Sequence, residues 1–290
     1  MKKKTLSKLR LGERRAALWF LAPSLAGITV LVFLPFVETL RRSFCNNSGT
    51  RFVALKNYRS VLRNEAFHLA MANTGKFILV CVPLLLLISF LLALMVQSMG
   101  RRGRRFKTTY LLPMAIPVAS VSLLWKVLFA DNGLANGLLT AMGAAPVSFM
   151  GSDAAFWVLI FTYLWKNSGY NMILWQSGMD GISRALYEAS AVDGAGSWQQ
   201  LRYITIPNLM PTALMLAVLS MLNTFKVFRE AYLVAGRYPH DSIYLLQHLF
   251  SNWFQNLDLG RLTAGAVMMA LVMLVVIMLL QYVWGRGDGQ

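Results

Sequence analysis

The chain has 290 residues, of which 57% are hydrophobic and only 14% are charged, and its formal net charge at pH 7 is +16. Repeated apolar runs of about 20 residues, the length that an α-helix needs to cross a hydrocarbon core, indicate an all-α membrane protein rather than a soluble domain. Much of the basic charge flanks these runs, where it orients helices and meets anionic lipid, so it does not call for nucleic acid as a partner.

Six apolar runs predict six transmembrane helices. In chain order they cover residues 16–36, 77–96, 110–129, 155–178, 212–234 and 263–284. We therefore expect a basic N-terminus at residues 1–15, a membrane domain at residues 16–284 and a short tail at residues 285–290.

The distribution of Lys and Arg predicts the orientation of these helices. An even number of spans puts both termini on one side of the membrane. The first fifteen residues carry seven Lys or Arg, and the segment RRGRRFK between the second and third spans carries five. By the positive-inside rule, both termini and the loop at residues 179–211 face the cytoplasm of a multi-pass cell-membrane protein.

The first loop carries many basic residues although this topology places it outside. Within it, Leu55, Tyr58, Leu62 and Leu69 recur at helical spacing, which is compatible with an interfacial helix whose basic side chains reach lipid phosphates. A solvated loop explains the sequence equally well, and both alternatives stay open. Of the two cysteines, one (Cys45) lies in this loop and the other lies inside the second span, so no disulfide is expected.

Signals of enzyme chemistry are missing from the sequence. It has no G-x-x-x-x-G-K-[ST] phosphate loop, and its three histidines form no H-E-x-x-H pair. No Ser or Cys nucleophile with a partnered base can be assembled either. We expect neither catalysis, nor a metal, nor a cofactor bound by this chain.

Polar residues inside the fourth span point to passage of a solute. Helical spacing puts Lys166, Asn167, Tyr170 and Asn171 on one broad stripe. A charge in mid-span costs roughly 2.5–3.5 kcal/mol on insertion scales and should face protein or water. The stripe predicts a hydrophilic path, while hydrogen bonding between helices without a ligand is an equal alternative.

The fifth span adds a second polar group to the membrane domain. Asn223, Lys226, Arg229 and Glu230 lie toward its outer half. Lys226 and Glu230 are four residues apart, so the spacing predicts that they neutralise each other on one helix face. For Asn223 and Arg229, lining a gate and packing between helices are equal alternatives, and Asn223 is also a candidate for the same path as the fourth span.

The cytoplasmic loop at residues 179–211 has the pattern of two short helices. Ser183 is predicted to cap the first helix, and Asp193 with Gly194 supplies a turn. Ser197 and Gln200 fit an S-x-x-Q capping box for the second helix, and Pro207 is predicted to end it. So small a helix-turn-helix has too little apolar surface to stand alone, so we expect it to pack against another surface.

The same loop resembles the EAA loop of permease subunits of ATP-binding cassette (ABC) importers, in the branch that takes up sugars. The family pattern is E-A-A, three residues, Gly, nine residues, I-x-L-P. Its matches here are Glu188, Ala189, Gly194, Ile204 and Pro207, with Asp193 beside the Gly. Ser190 and Ile206 replace an Ala and a Leu of the pattern.

Other segments extend the resemblance over most of the chain. FLAPSLAG, FVALKNY, MANTGKF, LLPMAIP and NLDLGRLTAGAV all lie where such sugar permeases carry similar stretches. In the second of these, Ala54 stands where the family usually has Gly.

The resemblance implies a membrane permease with several partners. These are a second permease subunit in a heterodimer, cytoplasmic ATPase subunits that hydrolyse ATP, and an extracytoplasmic solute-binding protein. The EAA loop would dock on the ATPase and couple its closure to transport of a sugar or oligosaccharide. The alternative, an ion-coupled transporter or channel, would more often show several intramembrane carboxylates, and here Glu230 alone qualifies.

Overall fold

The computed structural model describes residues 19–100 and 103–285. Within these residues the chain is helical, and the one β-type contact is an isolated bridge between Cys45 and Phe52. The helices are α1 Trp19–Ser43, α2 Lys56–Leu62, α3 Glu65–Ser98, α4 Gly103–Ala115, α5 Val118–Leu128, α6 Leu134–Ala141, α7 Ala154–Asp180, α8 Arg184–Val192, α9 Ser197–Gln200, α10 Met210–Ala235, α11 Leu246–Gln255 and α12 Leu259–Gly285.

Length and composition identify 4 of these helices, α1, α3, α10 and α12, as candidate membrane spans, and the pair α4 and α5 adds one more if it counts as a broken span. The prediction of a multi-pass, all-α membrane protein is confirmed at this level. Helix α7 has the length of a span at 27 residues. It is not among the candidate membrane spans that length and composition identify, because its polar stripe lowers its mean hydropathy.

The third predicted span, residues 110–129, is not one straight helix. It is divided between α4 and α5, whose axes bend by 91° at a short break. The break falls at Ile116 and Pro117, and Pro117 is the N-cap of α5 with extended backbone. Proline has no N–H to donate and disfavours helical backbone in the residue before it, so the helix restarts here in a new direction.

Of the described residues, 19–63 and 253–271 group into one compact unit of the fold. In it, Asn57 donates hydrogen bonds to the carbonyls of Ser43 and Cys45 at 2.9 and 2.7 Å. Arg261 donates to Ser60 Oγ at 2.8 Å. These bonds hold α2 in place as a separate short helix. The amphipathic pattern from Leu55 to Leu69 is therefore not one continuous helix. A new helix, α3, begins after Asn64, whose side chain accepts a hydrogen bond from the Phe67 N–H.

Ala54 has left-handed backbone in this unit, with φ of 51°. An L-residue with a Cβ is strained in that region, whereas Gly adopts it freely. This chain therefore has Ala at a position where the backbone geometry favours Gly, the residue that the family usually carries there.

Residues 64–100, 103–252 and 272–285 form the second unit, in which α7 packs against α3, α4 and α10. Gly169 allows the closest approach, because a Cβ there would collide with the backbone carbonyl of Tyr110 on α4. Trp175 on α7 donates to Ser89 Oγ on α3 at 3.1 Å. Helix α7 is thus held against its neighbours by close packing and by hydrogen bonds between helices.

Candidate functional site

A cavity of about 550 Å³ opens within the second unit, between α4, α5, α7 and α10. This volume lies within the range of sites for small molecules, roughly 300–1,000 Å³. Its lining combines apolar side chains with hydroxyl, amide and charged groups. The lining residues are Met114, Val118, Thr162, Tyr163, Lys166, Asn167, Tyr170, Leu219, Asn223, Lys226, Val227, Arg229 and Glu230.

Four of the five residues predicted for the path line this cavity, namely Lys166, Asn167, Tyr170 and Asn223. The fifth, Asn171, lies elsewhere: it is buried, and its Nδ2 donates to Ser220 Oγ on α10 at 3.0 Å. For Asn171 the contacts favour the alternative, a hydrogen bond between helices.

Lys166 and Glu230 form an ion pair at the cavity wall. The distance from Lys166 Nζ to Glu230 Oε1 is 2.6 Å, and the two side chains are 14% and 6% exposed. The pair joins α7 to α10, so each charge has a partner in a place where an unpaired charge would be costly. Glu230 Oε2 is itself buried and has no hydrogen-bond partner among the described residues.

The predicted pairing of Lys226 with Glu230 is wrong, because Glu230 pairs across helices with Lys166. Lys226 lies in a 3₁₀ turn at Phe225–Val227, so the regular α-helical spacing to Glu230 that the prediction assumed is not kept. Lys226 and Arg229 are exposed at the cavity and form no ion pair with any residue that the structure describes.

The sequence contained a signal for these cavity residues. Asn223, Lys226 and Glu230 are spaced i, i+3 and i+7, which places them on one helix face. The expected pairing of Lys226 with Glu230 accounted for both charges without a cavity, so this spacing was not interpreted as part of the path.

The segment after α7 folds into two helices that hydrogen bonds hold together. Helix α8 is followed by a turn at Gly194, and α9 continues into a π-helical turn at Leu201–Thr205 and then Ile206–Asn208. Gln200 Nε2 donates to Ser190 Oγ at 3.0 Å and to the carbonyl of Tyr187 at 3.3 Å. The hydroxyl groups of Tyr187 and Thr205 lie 2.9 Å apart. The two helices therefore form one connected element, which we call the coupling loop, residues 179–211.

The ends of the loop helices differ in detail from the sequence prediction. Ser183 occupies the N-cap position of α8, but its side chain makes no capping hydrogen bond. Gly196, not Ser197, is the N-cap of α9, and its N–H donates to Gln199 Oε1 at 2.8 Å. Gln200 is then available to bond to α8.

Pro207 does not end the second loop helix either, because helical residues continue through Asn208. The π-helical turn before Pro207 widens the helix by one residue, so the missing N–H of the proline is accommodated.

The family-motif residues lie mainly on the surface of the coupling loop. Glu188, Ala189, Asp193, Gly194 and Pro207 are exposed and Ile204 is half-buried. Glu188 forms no ion pair with Arg184, or with any other residue in the described part of the chain. Gly194 has φ of +82°, and in the described part of the chain a Cβ at this position would meet no atom within 4 Å apart from its chain neighbours.

Large apolar side chains are exposed on the same element. The exposed fractions are 47% for Leu186, 88% for Val192, 69% for Trp198 and 71% for Tyr203. Apolar exposure of this size on one small element is typical of a surface that a partner covers.

Comparison with known proteins identifies the family. Residues 76–285 match the family described as "binding-protein-dependent transport system inner membrane component". The chain belongs to this family. The matched region contains the whole cavity and the whole coupling loop, so both are parts of a transport permease. The resemblance of the chain to permeases of binding-protein-dependent importers is confirmed.

Individual relatives agree with this assignment. The permease is 30% identical over 221 residues to the lactose transport system permease protein LacF of Rhizobium radiobacter, covering 73% of this chain and 74% of that protein. Its fold matches a crystal structure of a bacterial ABC transporter involved in the import of the acidic polysaccharide alginate. The TM-score is 0.83 at 22% identity, over 96% of this chain and 99% of the other.

A second crystal structure shows a bacterial alginate ABC transporter in complex with an alginate pentasaccharide-bound periplasmic protein. It matches with a TM-score of 0.79 at 22% identity, over 94% of the permease and 96% of that chain.

Proposed function

We propose that this permease forms half of the path of an ABC importer for a sugar or oligosaccharide and is driven by a separate ATPase. The observation that carries the proposal is the coupling loop, whose EAA residues and apolar side chains are exposed on an internally bonded element. Family membership and the saccharides that its relatives carry, lactose and alginate, support the substrate class.

The cavity has the chemistry that a saccharide requires. A sugar presents many hydroxyl groups, which both donate and accept hydrogen bonds. The amides of Asn167 and Asn223 and the hydroxyl of Tyr170 can do the same. In the proposed function these groups contact the solute during passage, and Lys166 holds the Glu230 carboxylate in position.

The proposed membrane arrangement has six spans with both termini in the cytoplasm. In it, α4 and α5 together make the broken third span, and α7 is the fourth because its polar stripe faces the cavity rather than lipid. The basic N-terminus (residues 1–15) and the tail (residues 285–290) flank a permease domain at residues 16–284, with the coupling loop on the cytoplasmic side.

The partners follow from the same arrangement. A second permease subunit completes the path as a heterodimer, since one chain provides only part of the wall. Cytoplasmic ATPase subunits dock on the coupling loop and hydrolyse ATP, and this chain binds no cofactor itself. An extracytoplasmic binding protein delivers the solute, as the periplasmic protein in the alginate transporter structure suggests.

Gly194→Asn tests the docking of the loop. Asn tolerates left-handed backbone better than other side chains do, and apart from the chain neighbours no atom of the described residues lies within 4 Å of a Cβ at Gly194. We expect normal membrane levels but weaker retention of the ATPase. Uptake and solute-stimulated ATP hydrolysis should both fall about fivefold or more, the factor for a loss of about 1 kcal/mol at an interface.

Gly143→Asn is the matched control, because Gly143 has φ of +79° and equally open surroundings but lies outside the coupling loop. It should bind ATPase and transport normally. Normal coupling in Gly194→Asn would contradict docking through this turn, and equal losses in both variants would assign the effect to backbone strain. Uptake driven by an ion gradient without ATP would support the alternative, an ion-coupled transporter.

A further inference from the structure

The charges at the cavity do not balance. Three cationic side chains, Lys166, Lys226 and Arg229, line it together with a single carboxylate, Glu230. Counted at pH 7, this wall of the cavity carries a net charge of +2 (three positive charges minus one negative). Binding of a neutral saccharide would not require this excess of positive charge.

The single carboxylate is already neutralised by one of the three cations. Lys166 Nζ lies 2.6 Å from Glu230 Oε1, and both side chains are largely buried. At this distance and burial each charge satisfies the other, so Glu230 cannot also neutralise the remaining cations. The excess of two positive charges therefore belongs to Lys226 and Arg229.

Lys226 and Arg229 are three residues apart on α10, so their side chains lie next to each other on the helix surface. Both are exposed at the cavity, and neither forms an ion pair within residues 19–100 and 103–285. Unpaired charges inside a membrane protein are costly and usually have a partner of opposite charge or mark a substrate path.

We infer that the transported solute is a negatively charged saccharide whose acidic group binds Lys226 and Arg229. The inference rests on the proposed function and specifies the class of its substrate. A guanidinium group offers paired N–H donors that match two oxygens of an acidic group, and Lys adds a second positive charge beside it. Asn167, Tyr170 and Asn223 on the same cavity would bind the hydroxyl groups.

Carboxylate, phosphate and sulfonate groups share this chemistry, so the test includes a probe for each. The transporter, reconstituted in proteoliposomes with its partner permease, ATPase and binding protein, is given radiolabelled pairs of acidic and neutral sugars. The pairs are digalacturonate with galactobiose, glucose 6-phosphate with glucose, and sulfoquinovose with quinovose. ATP-dependent uptake of an acidic member, in preference to its neutral partner, is the expected result.

Charge-neutral variants then assign the preference to residues. In Lys226→Gln and Arg229→Gln, uptake of the acidic sugar should fall about tenfold or more each, the factor expected for a lost hydrogen bond to a charged group. Lys126→Gln removes one positive charge from an exposed position on α5 outside the cavity and should transport normally.

Each outcome of the experiment discriminates. Preferred uptake of neutral sugars, or acidic uptake that both Gln variants retain, would overturn the inference and indicate that a carboxylate of the partner permease neutralises the two cations. The proposed function would survive that result. Absence of ATP-dependent uptake for every sugar, acidic or neutral, would instead contradict the proposed function.

Discussion

The ion pair between Lys166 and Glu230 offers the sharpest test of the membrane core. Its N–O distance is 2.6 Å, and the side chains are only 14% and 6% exposed. Lys166→Met leaves the Glu230 carboxylate buried without its cation. Removing one partner of a buried pair costs about 3–5 kcal/mol, because the remaining charge keeps its desolvation penalty.

Replacing both residues should restore most of the stability. In Lys166→Met/Glu230→Met, no buried charge remains and the side-chain volumes are nearly kept, so the free energy of unfolding should return close to that of the unmodified chain. The double-mutant cycle should then give a coupling energy of about 3 kcal/mol.

The measurement is unfolding of the purified permease complex in mixed micelles with increasing SDS, followed by tryptophan fluorescence. A double variant whose loss equals the sum of the two single losses would refute the pairing. So would a Lys166→Met variant that unfolds at the same SDS fraction as the unmodified chain. Transport is measured in parallel, because a stable double variant that no longer takes up solute would separate the stabilising role of the pair from its role in the cavity.

Three further predictions concern other parts of the chain. Ala54→Gly should raise the free energy of unfolding by about 0.5–1 kcal/mol, because relief of left-handed strain exceeds the added freedom of Gly in the unfolded chain; an unchanged or lower SDS midpoint would contradict this. Burial lowers the pKa of His248 from 6.5 to about 4, so the unfolded chain takes up a proton first as pH falls, and stability present above pH 6.5 should decline by roughly 2 kcal/mol at pH 5. His248→Gln should flatten that decline in unfolding curves, and an identical slope would exclude His248 as its cause. In a background without the native cysteines, Ser48→Cys should react with an impermeant maleimide on intact cells and Val192→Cys only after permeabilisation; the reverse pattern would overturn the proposed orientation.

Much of the fold is determined locally by the sequence. An apolar run of helix length is stable only as a helix in a membrane, whatever surrounds it, so α1, α3, α10 and α12 follow from hydropathy. The spacing of Glu188, Gly194 and Pro207 likewise identified the coupling loop, because a family motif can be read from the order of residues along the chain.

Tertiary structure decided which polar groups meet. The partner of Glu230 is Lys166, 64 residues away on another helix, whereas sequence spacing favoured Lys226. Asn171 does not line the cavity for the same reason. Its hydrogen bond to Ser220 depends on how α7 packs against its neighbours, and close contact at positions such as Gly169 determines that packing. Periodicity shows the face of a helix on which a residue lies. Only the packing of neighbouring helices shows whether that face meets a cavity, a partner charge or another helix, because those distances depend on residues far apart in the sequence.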